Sequence, residues 1–436
     1  MRKKLLFDVS VLENGLAANA ARSGIFVASF EIFRALRRCG DFEMVAYVEP
    51  WAEQTLCAFF KTLGDIGDLK IVRGYGEDDF QRFSSCMRAY HAGISLIEAN
   101  SLGIKLLRGT FCLGLFAFRK FSGLCHRVKS NRWCKRIKDD YAAFFSTVFA
   151  SPEAIVRAGI PRFTILYDTI PLLFPQYYPQ PEGGKMWMEI LAESLTDADW
   201  GFAISECTKR DYLRFAPGLR ADHVKVIPLG AAERFYPCSD SRRIAETLAK
   251  YGIPSDRPYF LSLCTIEPRK NLPFAIRAFA EFAKADQSAV FVLAGGGWLN
   301  YREAWEETLR EFSDIRDRII LPGYVADEDL APLYSGAIAF VYLSLYEGFG
   351  LPPLEAMQCG CPVLSSNSSS LPEVVGDAAL TVAPDDLPHA VEAMRRLATE
   401  EDLRKDLRDR GLKRARLFNW DAAAEIIART MKDVVK

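Results

Sequence analysis

Two carboxylates eight residues apart, Glu347 and Glu355, flank a turn in which Gly348, Phe349, Gly350 and Leu351 precede Pro352 and Pro353. An apolar run from Ile338 to Leu343 leads into it, so the order is strand, turn, helix. Such a turn leaves main-chain N–H groups free at the positive end of a helix dipole, glycine lets another molecule approach, and proline at a helix start forfeits no hydrogen bond. The simplest alternative is that Glu355 complements its own helix dipole and Glu347 is a solvated loop residue.

A second charged turn is Glu267-Pro268-Arg269-Lys270-Asn271, after a strand over Tyr259–Cys264 and before a helix over Phe274–Phe282. Adjacent cations at a helix start oppose the dipole, a local penalty that points to an anionic ligand. Arg269 offers a planar fork and Lys270 a point charge, the pair commonly used for phosphate. Gly295, Gly296 and Gly297 follow a strand over Val290–Leu293 and permit close backbone approach. Asp168 lies where a strand over Phe163–Leu166 runs into the loop Thr169–Pro175, as either a site residue or a turn residue. Ser205 can cap the helix over Thr208–Phe215 or touch a ligand, with capping the preferred reading. Asp197-Ala198-Asp199 has a spacing that can hold a divalent cation, but it precedes a strand and reads as a turn, so no metal site is assigned.

The elements that would position these groups alternate between apolar runs and helical segments, the pattern of an α/β fold with mostly parallel sheets. A first strand over Leu5–Val11 leads through a polar loop to Gly24 and a helix carrying Phe26, Phe30 and Phe33. That loop has no Gly-x-Gly-x-x-Gly, which excludes the usual dinucleotide fingerprint. A further strand is expected over Pro362–Ser365, then a polar loop at Ser366–Ser370. Ala231–Arg243 reads as a linker. In parallel sheets the turns after successive strands share one edge, so the basic, glycine-rich and acidic turns of the second half can converge on one nucleotide-sized ligand.

The 436 residues allow two domains, and half of them are hydrophobic. Net charge is −1, but residues 99–138 hold ten Lys or Arg and no Asp or Glu, leaving 45 basic against 56 acidic residues elsewhere. Phe111, Phe116, Phe118, Phe121 and Trp133 are interleaved with these cations. The mixture suits an anionic membrane surface or a lipid-phosphate substrate, or else core helices with basic outer faces; no nucleic-acid motif accompanies it. Eleven cysteines without a Cys-x-x-Cys pair favour buried thiols and a cytoplasmic location. Asp8 interrupts the first apolar run, which argues against a signal peptide, and no run reaches the ~20 apolar residues of a membrane span.

Several of these motifs in this order resemble the retaining GT-B glycosyltransferases of family 4: Glu267–Asn271, Ala294–Gly297, Gly323-Tyr324-Val325, Glu347–Gly350 with Glu355, and Leu371-Pro372-Glu373-Val374. The resemblance implies two Rossmann-like domains facing a cleft, an acceptor domain over 1–232 and a donor domain over 233–415, with residues 416–436 as a helix crossing back to the first. It implies that Arg269 and Lys270 neutralise the donor diphosphate, that Glu355 binds ribose, that Glu347 orients the donor sugar and that Asp168 stands on the acceptor side. Gly24, Gly295, Gly296, Gly348, Phe349, Gly350 and Leu351 would approach phosphate or sugar, with Tyr324 and Val325 beside the base. Many relatives have His where this chain has Tyr167, and a phenol with a reference pKa of about 10 is a poor base at neutral pH.

The expected activity is therefore metal-independent, cofactor-free, retaining transfer of a hexose from a nucleotide diphosphate sugar to a glycan or polyprenyl-diphosphate-linked saccharide, as in cell-surface polysaccharide and lipopolysaccharide synthesis. The stretch Ile165–Pro175 resembles that of mannosyltransferases, making mannose from a GDP-sugar the first choice. The location would be cytoplasmic, on the inner face of the membrane if residues 99–138 dock there. The alternatives are a non-catalytic sugar-nucleotide-binding protein and a nucleotide-sugar epimerase.

Overall fold

A computed structural model describes residues 2–15, 24–49, 70–73, 130–178, 185–296 and 302–435. The described residues divide into two compact units: one within Met1–Ala20, Gly40–Thr164 and Met431–Lys436, the other within Ala21–Cys39 and Ile165–Thr430. Gly297 and residues 99–129 of the basic segment lie outside the described residues.

The apolar runs form two sheets. In the first, the order is β3-β2-β1-β4-β5-β6-β7, from β1 (Lys4–Asp8), β2 (Glu43–Val48), β3 (Ile71–Arg73), β4 (Ala143–Ser146), β5 (Arg162–Leu166), β6 (Asp199–Ala203) and β7 (Val224–Val226). In the second the order is β10-β9-β8-β11-β12-β13, from β8 (Tyr259–Leu263), β9 (Val290–Ala294), β10 (Ile319–Gly323), β11 (Ala339–Tyr342), β12 (Val363–Ser366) and β13 (Leu380–Val382). The pairings of β1 with β2 and of β8 with β9 and β11 are parallel, which requires helical crossovers and buries the strands on both faces.

In the first unit, Leu6, Val45, Tyr47, Phe144 and Ile155 form a buried cluster, and the Phe7 and Phe145 rings stack at 4.9 Å. Strand β1 stops at Asp8, short of the expected Val11. The Asp8 carboxylate accepts the Ser10 amide at 2.9 Å and turns the chain into a 3-10 helix over Ser10–Gly15. Burial pushes the Asp8 carboxyl up to about 7, against the Ser10 hydrogen bonds. Residues 130–140 are helical: Cys134 and Ile137 are buried, while Arg132, Lys135, Arg136 and Lys138 are exposed, so this end of the basic segment has the form of a core helix with a basic outer face. At the chain's far end Lys3 Nζ donates to Val435 O at 3.0 Å and Lys432 meets Asp41 at 2.5 Å, tying the end of the helix Trp420–Val434 into this unit.

In the second unit, the helix Gly24–Cys39 buries Phe26 and Phe33 as the aromatic spacing implied. The expected linker ends earlier than Arg243, because Asp240 caps a helix over Ser241–Lys250 by accepting the amides of Arg242 (3.0 Å) and Arg243 (3.2 Å). Asp199 holds Thr196 through its amide (2.9 Å) and hydroxyl (2.6 Å), the turn role expected of Asp197–Asp199. Among the described residues no helix is long and apolar enough to cross a membrane.

Candidate functional site

The site is built inside the second unit from the turns after β8 and β11. Arg269 and Lys270 end a 3-10 turn, Pro268–Lys270; Asn271 then takes a left-handed conformation with φ 56°, and the helix begins at Leu272, before the expected Phe274. The two cations thus stand ahead of the helix. The Asn271 side chain secures the corner by donating to Leu343 O at 3.0 Å and Pro384 O at 2.8 Å.

Glu347 joins this turn to the one after β11. Its Oε2 accepts Arg269 Nη1 at 2.6 Å, and its Oε1 accepts Lys270 Nζ at 2.7 Å, Ser344 Oγ at 2.7 Å and Tyr342 Oη at 2.8 Å. Burial would raise this carboxyl, but the charges of Lys270 and Arg269 outweigh it and hold Glu347 at about 2. It is not a solvated loop residue. Arg269 Nε reaches Glu267 Oε2 (2.9 Å) and Tyr178 Oη (3.2 Å). Burial disfavours the Arg269 charge, yet Glu347 and Glu267 more than restore it. Among the described residues Arg269 Nη2 has no partner, and the two protein bonds of Lys270 Nζ leave one of its three N–H groups over.

Hydroxyls fix the backbone of the acidic turn. Ser370 Oγ lies within hydrogen-bond distance of Glu347 O (2.8 Å) and Phe349 O (2.7 Å) and shares its single proton between them, while Ser205 Oγ and Thr208 Oγ1 donate to Gly348 O at 2.6 and 3.0 Å. Ser205 also accepts the Thr208 amide at 3.0 Å, which is the capping role expected of it. Glu373 caps the same helix by accepting the Glu206 and Cys207 amides at 2.7 and 2.8 Å. Gly348 must be glycine: a Cβ there would sit 2.5 Å from that of Asp168. Phe349 is buried against Phe418, and Gly350, at φ 124°, opens the helix Leu351–Gln358, which has no side-chain cap.

Asp168 is half-buried beside Gly348 and accepts the Ile170 amide at 3.2 Å. Burial raises its carboxyl and the Arg269 charge opposes the rise. Tyr167 faces elsewhere, with its hydroxyl 2.9 Å from Ser29 Oγ, and burial pushes its phenol well up. Gly24 starts its helix next to Leu351, where a Cβ would lie 3.4 Å from Leu351 Cδ1. Gly295, at φ 138°, passes so close to Cys264 O that a Cβ would stand 1.9 Å away, whereas among the described residues nothing lies within 4 Å of a Cβ at Gly296. The Gly295 amide donates to Gly323 O at 2.9 Å, which brings the glycine turn beside Tyr324, 63% exposed, and the buried Val325.

Glu355 stands one turn along its helix, with Tyr334 Oη 3.4 Å from Oε2 as its hydrogen bond. Burial lifts its carboxyl to about 7, opposed by Arg234 and Tyr334. A carboxyl whose folded pKa is raised adds stability below its unfolded pKa and loses it as pH rises towards the folded one. We therefore expect the chain to lose stability between pH 5 and 8 and Glu355→Gln to lose less, leaving the part due to other raised carboxyls such as Asp8 and Asp168; urea unfolding at the two pH values checks this, and equal losses in both proteins would refute it.

Sequence reasoning gave no role to Tyr342, Ser344, Thr208 or Tyr178, and it named Glu373 only as part of its motif. The serine run Ser366–Ser370 was a usable signal for the hydroxyls that hold the turn.

Residues 244–414 match the family model described as Glycosyl transferases group 1. The serotype-specific mannosyltransferase WbdA of Escherichia coli is 34% identical over 268 residues, covering 60% of this chain and 32% of that protein, so the chain spans about a third of that relative's length. The O-antigen chain mannosyltransferase B of Escherichia coli is 33% identical over 293 residues, covering 66% of this chain and 73% of that protein. Among solved structures, Anabaena HepE in complex with UDP and glucose superposes with a TM-score of 0.64 at 17% identity, covering 99% of this chain and 100% of that one.

Proposed function

The chain belongs to the group 1 glycosyl transferases and has the GT-B fold, and we propose that it transfers mannose from a GDP-sugar to a glycan or lipid-linked saccharide in O-antigen or related polysaccharide synthesis, with retention of anomeric configuration. The observation that carries this reading is the cation pair: Arg269 and Lys270, 15% and 8% exposed, are locked in place by Glu347 yet keep donors free for a ligand. A partly buried, pre-oriented pair of this kind suits a diphosphate whose charge grows as the bond to the sugar breaks.

In the proposed reaction the C1–O bond to the β-phosphate breaks, the acceptor hydroxyl oxygen bonds to C1 from the same face, and the acceptor proton passes to the departing phosphate. Arg269 and Lys270 stabilise the leaving charge and supply the positive potential that a metal ion would otherwise provide. Glu347 orients the sugar and holds the cations; with four donors on its two oxygens it is poorly placed to act as a nucleophile. Asp168 lies on the acceptor side. The uncapped amides of Gly350 and Leu351 meet phosphate or sugar, Glu355 takes the ribose hydroxyls, and Tyr324 and Val325 flank the base. The mannosyltransferase relatives support mannose, and guanosine is proposed as the base that carries it.

Thermal unfolding with GDP, UDP, ADP and their sugars tests the donor, since a ligand at a hundred times its Kd stabilises by about 2.7 kcal/mol. The largest shift is expected with GDP-mannose, and the proton NMR spectrum of the product should show the donor's own anomeric configuration. A shift confined to UDP-sugars would reject guanosine, and an inverted product would reject retention.

A further inference from the structure

We propose that Tyr342 is a positioning residue that couples Lys270 to Glu347, an inference that rests on the leaving-group role given above to Lys270. The Tyr342 hydroxyl accepts Lys270 Nζ at 2.6 Å and donates to Glu347 Oε1 at 2.8 Å. The direction of both bonds is fixed, because an ammonium can only donate and an ionised carboxylate can only accept. Lys270 Nζ, Tyr342 Oη and Glu347 Oε1 close a triangle, since Lys270 also meets Oε1 directly at 2.7 Å. Ser344 donates to the same oxygen but not to Lys270, so Tyr342 alone among the described residues bonds to both.

The phenol is well suited to fix that geometry. Tyr342 is the last residue of β11, whose neighbours in the sheet are β8 and β12, and its Cα pairs with that of Ser365. Its ring lies against Phe340 at 5.6 Å. At 2% exposure it does not reach a ligand, so its influence passes through Lys270 and Glu347. Without the hydroxyl, the flexible lysine stem keeps its charge but gains rotational freedom, which blurs the position of the one donor it retains for the leaving phosphate.

The test is steady-state kinetics on purified Tyr342→Phe and Tyr259→Phe. Tyr259, in β8, is also buried and donates at 2.6 Å to Leu333 O, away from the cation pair, so its loss reports the effect of deleting a buried hydroxyl alone. Tyr342→Phe is expected to lower kcat about 10- to 30-fold with donor KM within about threefold, the split of an interaction felt mainly in the transition state, while Tyr259→Phe lowers Tm and leaves kcat unchanged. In a Lys270→Ala background the same Tyr342→Phe change should cost less than about twofold, because residues acting as one unit are not additive. An unchanged kcat in Tyr342→Phe, an equal kcat loss in Tyr259→Phe, or full additivity with Lys270→Ala would overturn the assignment. Should Lys270→Ala itself turn over normally, the leaving-group reading fails and this one with it; should only Tyr342→Phe do so, the leaving-group reading stands.

Discussion

Lys270→Ala is expected to lower turnover by about two to three orders of magnitude, the range seen when one preorganised charge-stabilising donor is removed. The substitution deletes the cation that reaches Glu347 at 2.7 Å and Tyr342 at 2.6 Å and has one N–H left over. Folding should survive, because Glu347 keeps Arg269, Ser344 and Tyr342 as donors and is not left as an unpaired buried charge. Arg269→Ala is less clean, since Arg269 also bonds to Glu267, Tyr178 and Tyr346. Initial rates at saturating donor, with circular dichroism to confirm cooperative unfolding, check the prediction; a Lys270→Ala rate within a few-fold of the parent would refute it.

Glu347→Gln should do two opposite things. Turnover falls by about a hundredfold, because the carboxylate that sets the positions of Arg269 and Lys270 becomes an amide whose NH2 faces one of them, and misplacement by about 1 Å suffices for such a loss. Affinity for the free nucleoside diphosphate rises, by about tenfold, because the two cations lose the internal anion that competes with phosphate for them; a unit-charge pair 4 Å apart is worth roughly 4 kcal/mol near a protein surface before rearrangement offsets most of it. Isothermal titration with GDP measures the second effect. Weaker GDP binding in Glu347→Gln would show that the carboxylate only assists the cations and does not compete for them. The same charge cluster sets an acid limit: the Glu347 carboxyl, lowered from 4.5 to about 2, contributes stability above its unfolded pKa that is lost as pH falls from about 4.5 towards 2.

The fold was readable because buried parallel strands are apolar runs bounded by turns, and Tyr259–Leu263 and Val290–Ala294 end within one residue of where the sequence places them. The first strand was overrun because Asp8 stands in an apolar run, and only the folded chain shows its carboxylate capping Ser10. Arg269 and Lys270 stood out in the sequence for a different reason: a cation pair before a helix is locally unfavourable and so asks for an explanation, and the structure gathers both on Glu347. Tyr342 was hidden by the same logic. In a strand it reads as one more core aromatic, and its lysine partner is 72 residues away along the chain. Ser205 was half legible, since capping is a local interaction, whereas its bond to Gly348 joins residues 143 apart.

In the proposed reaction, sugar leaves its nucleotide diphosphate at Arg269 and Lys270. The most direct measurement is acceptor-dependent release of GDP from GDP-mannose by the parent chain and by Lys270→Ala, with a mannose-terminated lipid-linked saccharide as acceptor and the saccharide product followed by mass. Release that requires the acceptor, adds one hexose to it and falls at least a hundredfold in Lys270→Ala is the predicted result. Release that ignores the acceptor, or that proceeds equally in both proteins, would contradict it.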